Sequence, residues 1–149
     1  MNHKKKKNIG LEAVVIVASV LGLLLLLYFV MIVSFQTGAS STSVTMSLAR
    51  QIARRIFEHP TESQIETTSL MIRYGAHLGL FFVVGLVTTF VSMIIFRRYF
   101  RILGVIGSGI VCYILAYYTE YYKQFVEGRH FQISDANLNW YGSLAGILC

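Results

Sequence analysis

A chain of 149 residues, 55% of them hydrophobic, with one proline and a mean hydropathy of +0.61, carries more apolar surface than a soluble domain of that size needs. The composition therefore indicates an integral membrane protein and excludes an ordinary soluble enzyme. The 13 lysines and arginines outnumber 7 acids, for a formal charge of +6, but they cluster at the ends of apolar segments. That is topology information and not the footprint of a nucleic-acid binder.

The length suits one membrane domain, residues 1–149, of about four spanning helices at roughly 20 residues each. The first apolar run, residues 11–33, follows Lys4–Lys7. It is longer than the roughly 7–15 apolar residues of a signal-peptide core, so it predicts an uncleaved first transmembrane helix with a cytoplasmic N-terminus. Residues 34–67 then form a long outer connection. It opens with Ser34-Phe35-Gln36-Thr37-Gly38 and a serine- and threonine-rich stretch, Ser40 to Ser43.

Within that connection Val44, Leu48, Ile52 and Ile56 recur every four residues while Arg50, Arg54 and Arg55 point elsewhere. The pattern predicts an amphipathic helix lying in the membrane interface, ended by Pro60. Ser63-x-x-Glu66 resembles a capping box opening the second transmembrane helix, assigned to residues 68–96. A basic turn, Arg97-Arg98-Tyr99-Phe100-Arg101, leads to the third span, residues 102–118, with Gly104, Gly107 and Gly109 available for close packing. Tyr117, Tyr118, Tyr121 and Tyr122 stand where an interfacial aromatic belt belongs. An outer loop, residues 123–134, precedes a short fourth span, residues 135–149. Two cysteines, Cys112 and Cys149, supply neither a disulfide framework nor a metal spacing.

Lys4–Lys7 and the Arg97–Arg101 cluster lie beside helix ends, and the positive-inside rule puts both on the cytoplasmic side. Both termini are then inside, in an all-α bundle of four transmembrane helices with one outer interfacial helix. With this topology, Gln36, Arg73, His77, Glu120, Gln124, Asp135 and Asn139 all fall at the outer ends of their segments. Arg73/His77, Glu120/Gln124 and Asp135/Asn139 are each spaced i,i+4, so each pair shares a helical face. Gly75 and Gly79, and the pair Gly142-x-x-x-Gly146, allow close helix approach. The expected feature is a polar cup opening toward the outer leaflet, in which Arg73 or Arg129 pairs with Glu120 or Asp135.

Arg73-Tyr-Gly-Ala-His77, Glu120-x-x-x-Gln124-Phe, Gly128-Arg129 and Asp135-x-x-x-Asn139-x-x-Gly142-x-x-x-Gly146, with Ser34-Phe35-Gln36 and the serine-rich stretch, resemble the VanZ-like family. The resemblance runs from about Phe35 to Gly146. It departs at Thr119, where many members place an aspartate before the glutamate. It implies a small multi-spanning protein of the bacterial cytoplasmic membrane, of a family associated with resistance to the lipidated glycopeptide teicoplanin. On that reading the partners are membrane lipids and a lipidated glycopeptide or lipid-linked cell-wall precursor, with no nucleic acid. The packing glycines permit an intramolecular bundle or a homodimer.

Two mechanisms fit the cup. In one, Arg73 and Arg129 bind a phosphate or carboxylate, Gln36, Gln124 and Asn139 bind amides or sugars, and the site catalyses nothing. In the other, His77 and Glu120 are an acid–base pair oriented by Asp135, acting as a hydrolase or transferase on a lipid-linked substrate. No serine or cysteine stands in a nucleophile motif, which disfavours a covalent intermediate. A metal version of this mechanism would use His77, Glu120, His130 and Asp135, but no His-Glu-x-x-His or comparable pattern is present, so neither a metal nor another cofactor is expected. A proton-coupled transporter would need an acid near the bilayer midplane, whereas Glu12 and Glu120 sit at segment ends.

Overall fold

The computed structural model describes residues 3–36, 38–96 and 101–149, with side chains from residue 12 onward. The described residues form helices joined by short connections and no strands. These are α1 (His3–Ser34), α2 (Gly38–Ile56), α3 (Glu62–Phe96), α4 (Arg101–Tyr122), a single 3₁₀ turn at Lys123–Phe125, and α5 (Ile133–Leu148). Among the described residues, three stretches are long and apolar enough to cross a membrane: Glu12–Ser34, Glu62–Phe96 and Arg101–Phe125. The basic turn at 97–101 lies outside the described residues except for Arg101, as do the side chains of Lys4–Lys7.

The solvent-facing surface shows why a membrane is required. Only 6% of the most apolar stretch of α1 is buried within the protein. Val14, Val17, Leu21, Leu24, Leu25, Tyr28 and Phe29 spread over a broad face of this helix and are all more than half exposed. So wide an uncovered apolar face on a helix of this length suits a hydrocarbon surrounding. The protein's own core is small by comparison. Val30 of α1, Phe81 and Val84 of α3, and Cys112 and Ala116 of α4 form its centre, with Trp140 and Ile147 of α5 packed against it.

The fourth expected span, residues 135–149, appears as a 16-residue helix, about 24 Å long at 1.5 Å per residue. It falls short of the roughly 30 Å hydrocarbon core and is not among the three spanning stretches. It seats on α3 through small residues. A Cβ on Gly142 would meet the backbone of Leu78, one on Gly146 the backbone of Phe82 and Leu86, and one on Gly85 that of Ser143. This seam brings the α3 and α5 backbones into direct contact, as small-residue interfaces do in membranes. The other glycines differ from expectation. Gly75, Gly79, Gly107 and Gly109 face open space, and only Gly104 of its group packs, against Ser92.

The helix in the outer connection is longer than the apolar repeat predicts, because it runs through the serine-rich stretch. Ser43 donates to the Ser40 carbonyl and Thr45 to that of Ser41, so these hydroxyls bond along the helix and do not break it. The helix docks on α3 by Ala49 and Ala53, which meet Ile65 and Ile72. Val44, Leu48 and Ile56 of the expected apolar stripe stay exposed. The start of α3 also differs from its prediction. The capping box is formed not by Ser63 and Glu66 but by Thr61 and Gln64. The Thr61 amide donates to Gln64 Oε1 at 2.8 Å, and the Gln64 amide to Thr61 Oγ1 at 3.4 Å. Pro60, immediately before, sets the break from which the helix begins.

The α3–α5 seam makes a test. Gly146→Ala is expected to destabilise the protein by about 1–3 kcal/mol, since a methyl there must displace backbone. Gly107→Ala is expected to be neutral or stabilising, because it adds helix propensity in open space. Unfolding of both variants in mixed detergent micelles measures the difference, and equal stabilities would refute the seam.

Candidate functional site

The α3–α5 seam fixes the register of the polar residues. Asp135 lies in the first turn of α5 and Asn139 one turn on, so both face Arg73 and His77 of α3. Arg73 Nη2 donates to Asp135 Oδ2 and, at 3.1 Å, to Gln132 Oε1. His77 Nδ1 lies 2.7 Å from Asn139 Oδ1, and Nε2 lies 3.5 Å from Asp135 Oδ2. The expected i,i+4 faces of α3 and α5 therefore meet.

The face of α4 is different. Glu120 is fully buried and is met by Lys123, whose Nζ stands 2.5 Å from Oε2. Gln124, expected to share the face of Glu120, is exposed outside the site. The cause is local. After Tyr122 the helix tightens to a 3₁₀ turn, and with three residues per turn, i and i+3 align. Lys123 thus takes the place that an undistorted α-helix gives to Gln124. A lysine three residues after a buried glutamate was the available signal, since i,i+3 pairs are as close as i,i+4 pairs. Thr119 supplies no acid and bonds back to the carbonyls of Leu115 and Ala116. The second acid of the cluster is Asp135.

The loop after the 3₁₀ turn completes the wall. Gly128 has φ +71°, a left-handed conformation that side chains strain to adopt. The loop lies so close to the start of α2 that a Cβ on Gly38 would run into the Gly128 carbonyl. The Gly38 amide also donates to the Glu127 carbonyl at 3.1 Å. This docking places Arg129 at the cavity, where partial burial, and then the nearby Arg73 charge, lower its pKa from the usual value. Arg129 makes no ion pair among the described residues.

Between these elements lies a cavity of about 330 Å³. Arg73, His77, Glu120, Lys123 and Arg129 supply its charged and polar lining, with Ser41, Thr42 and Thr45 from α2. Val33, Leu70, Leu80 and Phe81 supply its apolar lining. Asn139 and Asp135 stand behind this surface, holding His77 and Arg73. Gln36 is exposed in the bend after α1 and does not reach the cavity. Neither Lys123, Gln132 nor the α2 hydroxyls were expected here. Tyr117, from the expected aromatic belt, donates at 2.6 Å to Asn137 Oδ1 of α5. Tyr118, Tyr121 and Tyr122 pack ring to ring with one another and with Phe125.

Removing one member of a buried ion pair leaves the other charge uncompensated, at a cost of about 3–5 kcal/mol. Lys123→Met is accordingly expected to destabilise the protein by about 3 kcal/mol, and Lys123→Met combined with Glu120→Gln to recover most of that loss. Equilibrium unfolding of the single and double variants tests this. Additive losses would mean that the two side chains are not coupled.

No protein-family model, curated protein or solved structure matches this chain. The functional reading consequently rests on its own residues and their arrangement.

Proposed function

We propose that this is a bacterial cytoplasmic-membrane protein that holds a lipidated, anionic ligand at the outer leaflet, in the manner the VanZ-like resemblance implies. The ligand would be a lipidated glycopeptide or a lipid-linked envelope precursor, and the biological result resistance or envelope maintenance. The observation that carries this reading is the mixed lining of the cavity, where cations stand beside aliphatic and aromatic side chains. Such a surface matches an amphiphile with a charged head and an acyl chain.

The charge balance supports an anionic head. Asp135 is matched by Arg73 and Glu120 by Lys123, so Arg129 contributes positive charge beyond what the carboxylates neutralise. Its guanidinium can grip a phosphate or carboxylate through paired hydrogen bonds. In this proposal α5 completes a four-helix bundle with both termini cytoplasmic, and α2 lies in the outer interface. The exposed Val44, Leu48 and Ile56 would dip into the acyl boundary, while Arg50, Arg54 and Arg55 meet headgroups. The cavity lies beside α2, whose hydroxyls would line the route from the lipid.

A second reading is favoured by one specific feature. His77, Glu120 and Asp135 each bring a donor atom within 4.8 Å of the others. An imidazole between two carboxylates is suited to proton transfer, and the same pocket would then serve a hydrolase or transferase acting on the lipid-linked ligand.

Arg129→Ala is expected to weaken binding of a lipid phosphate monoester in nanodiscs by about 10–100-fold, the worth of a charge-assisted hydrogen bond. In cells challenged with a lipidated glycopeptide, the same variant should behave like cells lacking the protein. Undiminished binding and tolerance would refute the anion site. For the enzymatic reading, His77→Ala at unchanged protein level must abolish an envelope-lipid product seen with wild type; identical lipid profiles would exclude it.

A further inference from the structure

The geometry points to a divalent-cation site formed by His77, Glu120 and Asp135 at the inner wall of the cavity. Three observations converge on it, and none depends on the identity of the lipid ligand. First, one donor atom from each of the three residues lies within 4.8 Å of the other two, so that side-chain shifts of a few tenths of an ångström bring them to the roughly 4.0–4.4 Å that two opposite bonds of about 2.0–2.2 Å can span.

Second, both carboxylates are bound on one side and bare on the other. Glu120 Oε2 is held by Lys123 and Asp135 Oδ2 by Arg73. Their second oxygens, Glu120 Oε1 and Asp135 Oδ1, are buried without a hydrogen-bond partner. Glu120 is 0% exposed and Asp135 1%, so bulk water does not serve these oxygens. Buried acceptors left in this state are costly, and native structures rarely keep two side by side without a function.

Third, the histidine is oriented as a ligand. Asn139 Oδ1 accepts from Nδ1 at 2.7 Å, which turns Nε2 toward the Asp135 carboxylate, whose Oδ2 lies 3.5 Å away. In the neutral ring Nε2 is then a lone pair facing a carboxylate, the place where a cation binds. Fixing one imidazole nitrogen by a hydrogen bond so that the other meets a metal is the usual outer-shell arrangement. The cations held on the far oxygens of the carboxylates complete that shell.

The ligand set would be His77 Nε2 and one oxygen from each of the Glu120 and Asp135 carboxylates, whose Oε1 and Oδ1 are the unpartnered ones. One imidazole and two carboxylates suit a first-row divalent ion such as Zn²⁺ or Mn²⁺ better than Ca²⁺, which takes six to eight oxygens. Arg73 and Lys123 already balance the two carboxylates, so the bound ion adds about two net positive charges. His77 and Glu120 line the cavity, which makes the ion's remaining positions reachable by an anionic head.

The test uses the full chain, without an affinity tag, in detergent micelles. After chelator treatment and dialysis, Zn²⁺, Mn²⁺, Mg²⁺ and Ca²⁺ are titrated calorimetrically. One equivalent of Zn²⁺ or Mn²⁺ per chain is expected. Glu120→Gln and His77→Ala should weaken it at least about 100-fold, and Asn139→Ala about 10–100-fold. Glu62→Gln, at the start of α3, should leave it unchanged. Circular dichroism confirms that each variant is folded. X-ray absorption at the Zn edge of the wild type gives a readout independent of any variant, with one imidazole and otherwise oxygen expected. Absence of stoichiometric binding, wild-type affinity in folded Glu120→Gln and His77→Ala, or a shell containing sulfur or a second imidazole would overturn the proposal. A cation that binds while lipid binding is unaffected by Arg129→Ala would leave the site standing and refute only the anion reading.

Discussion

The arrangement depends on two carboxylates removed from water inside a bundle whose outer surface is apolar. Glu120 and Asp135 have essentially no exposure, and an isolated buried carboxylate is far too costly to retain its charge. Each must therefore be met by a cation, and the two cations come from different places. Lys123 reaches Glu120 from its own helix end, whereas Arg73 reaches Asp135 from another helix. The first pair is local and requires only the tightened turn after Tyr122. The second is tertiary and forms only when α5 seats on α3 in one register.

That register is set by glycine. Gly142 and Gly146 on one side and Gly85 on the other allow backbone to touch backbone, and a slide of one residue would put a Cβ into a carbonyl. Asn139 and Asp135 lie on the same helix as Gly142 and Gly146, one and two turns nearer its start than Gly142. The packing that excludes water from the seam thus also aims the polar residues at Arg73 and His77. A short helix suffices for this purpose, because its binding face is held along most of its length.

Much of this was legible in the chain. The apolar runs marked α1, α3 and α4, and the i,i+4 spacings identified the polar faces of α3 and α5 that do meet. Gly142 and Gly146 were recognisable as a small-residue pair. The misreadings share a physical cause, since each turned on a local geometry that periodicity averages over. Gln124 lost its place to Lys123 because a 3₁₀ turn changes which residue aligns with Glu120. Ser63 and Glu66 fit the capping pattern, but Thr61 and Gln64 fit it too, and Pro60 decides where the helix begins. Gly75 and Gly79 have the same spacing as Gly142 and Gly146, yet spacing cannot say which side of α3 has a neighbour. In α2 the aliphatic stripe was the visible signal, whereas the face that packs is made of Ala49 and Ala53, whose small size is the reason they fit.

The distribution of exposure across the two ion pairs bears on how a ligand could engage the site. Lys123 is 3% exposed and its partner 0%, whereas Arg73 is 42% exposed and its partner 1%. The Lys123–Glu120 pair presents almost no surface and acts as a fixed part of the cavity wall. Arg73 is the converse: it holds a buried carboxylate at one edge while much of its side chain remains accessible. A guanidinium has five N–H donors, and the bonds to Asp135 and Gln132 both come from Nη2. The other nitrogens stay available to an incoming anion without breaking the contact that orders α5. Arg129, carried by a loop that meets the start of α2 where Gly128 touches Gly38, lines the same cavity. Binding can then add to the charge network without dismantling it, so the bundle need not loosen to accept a ligand.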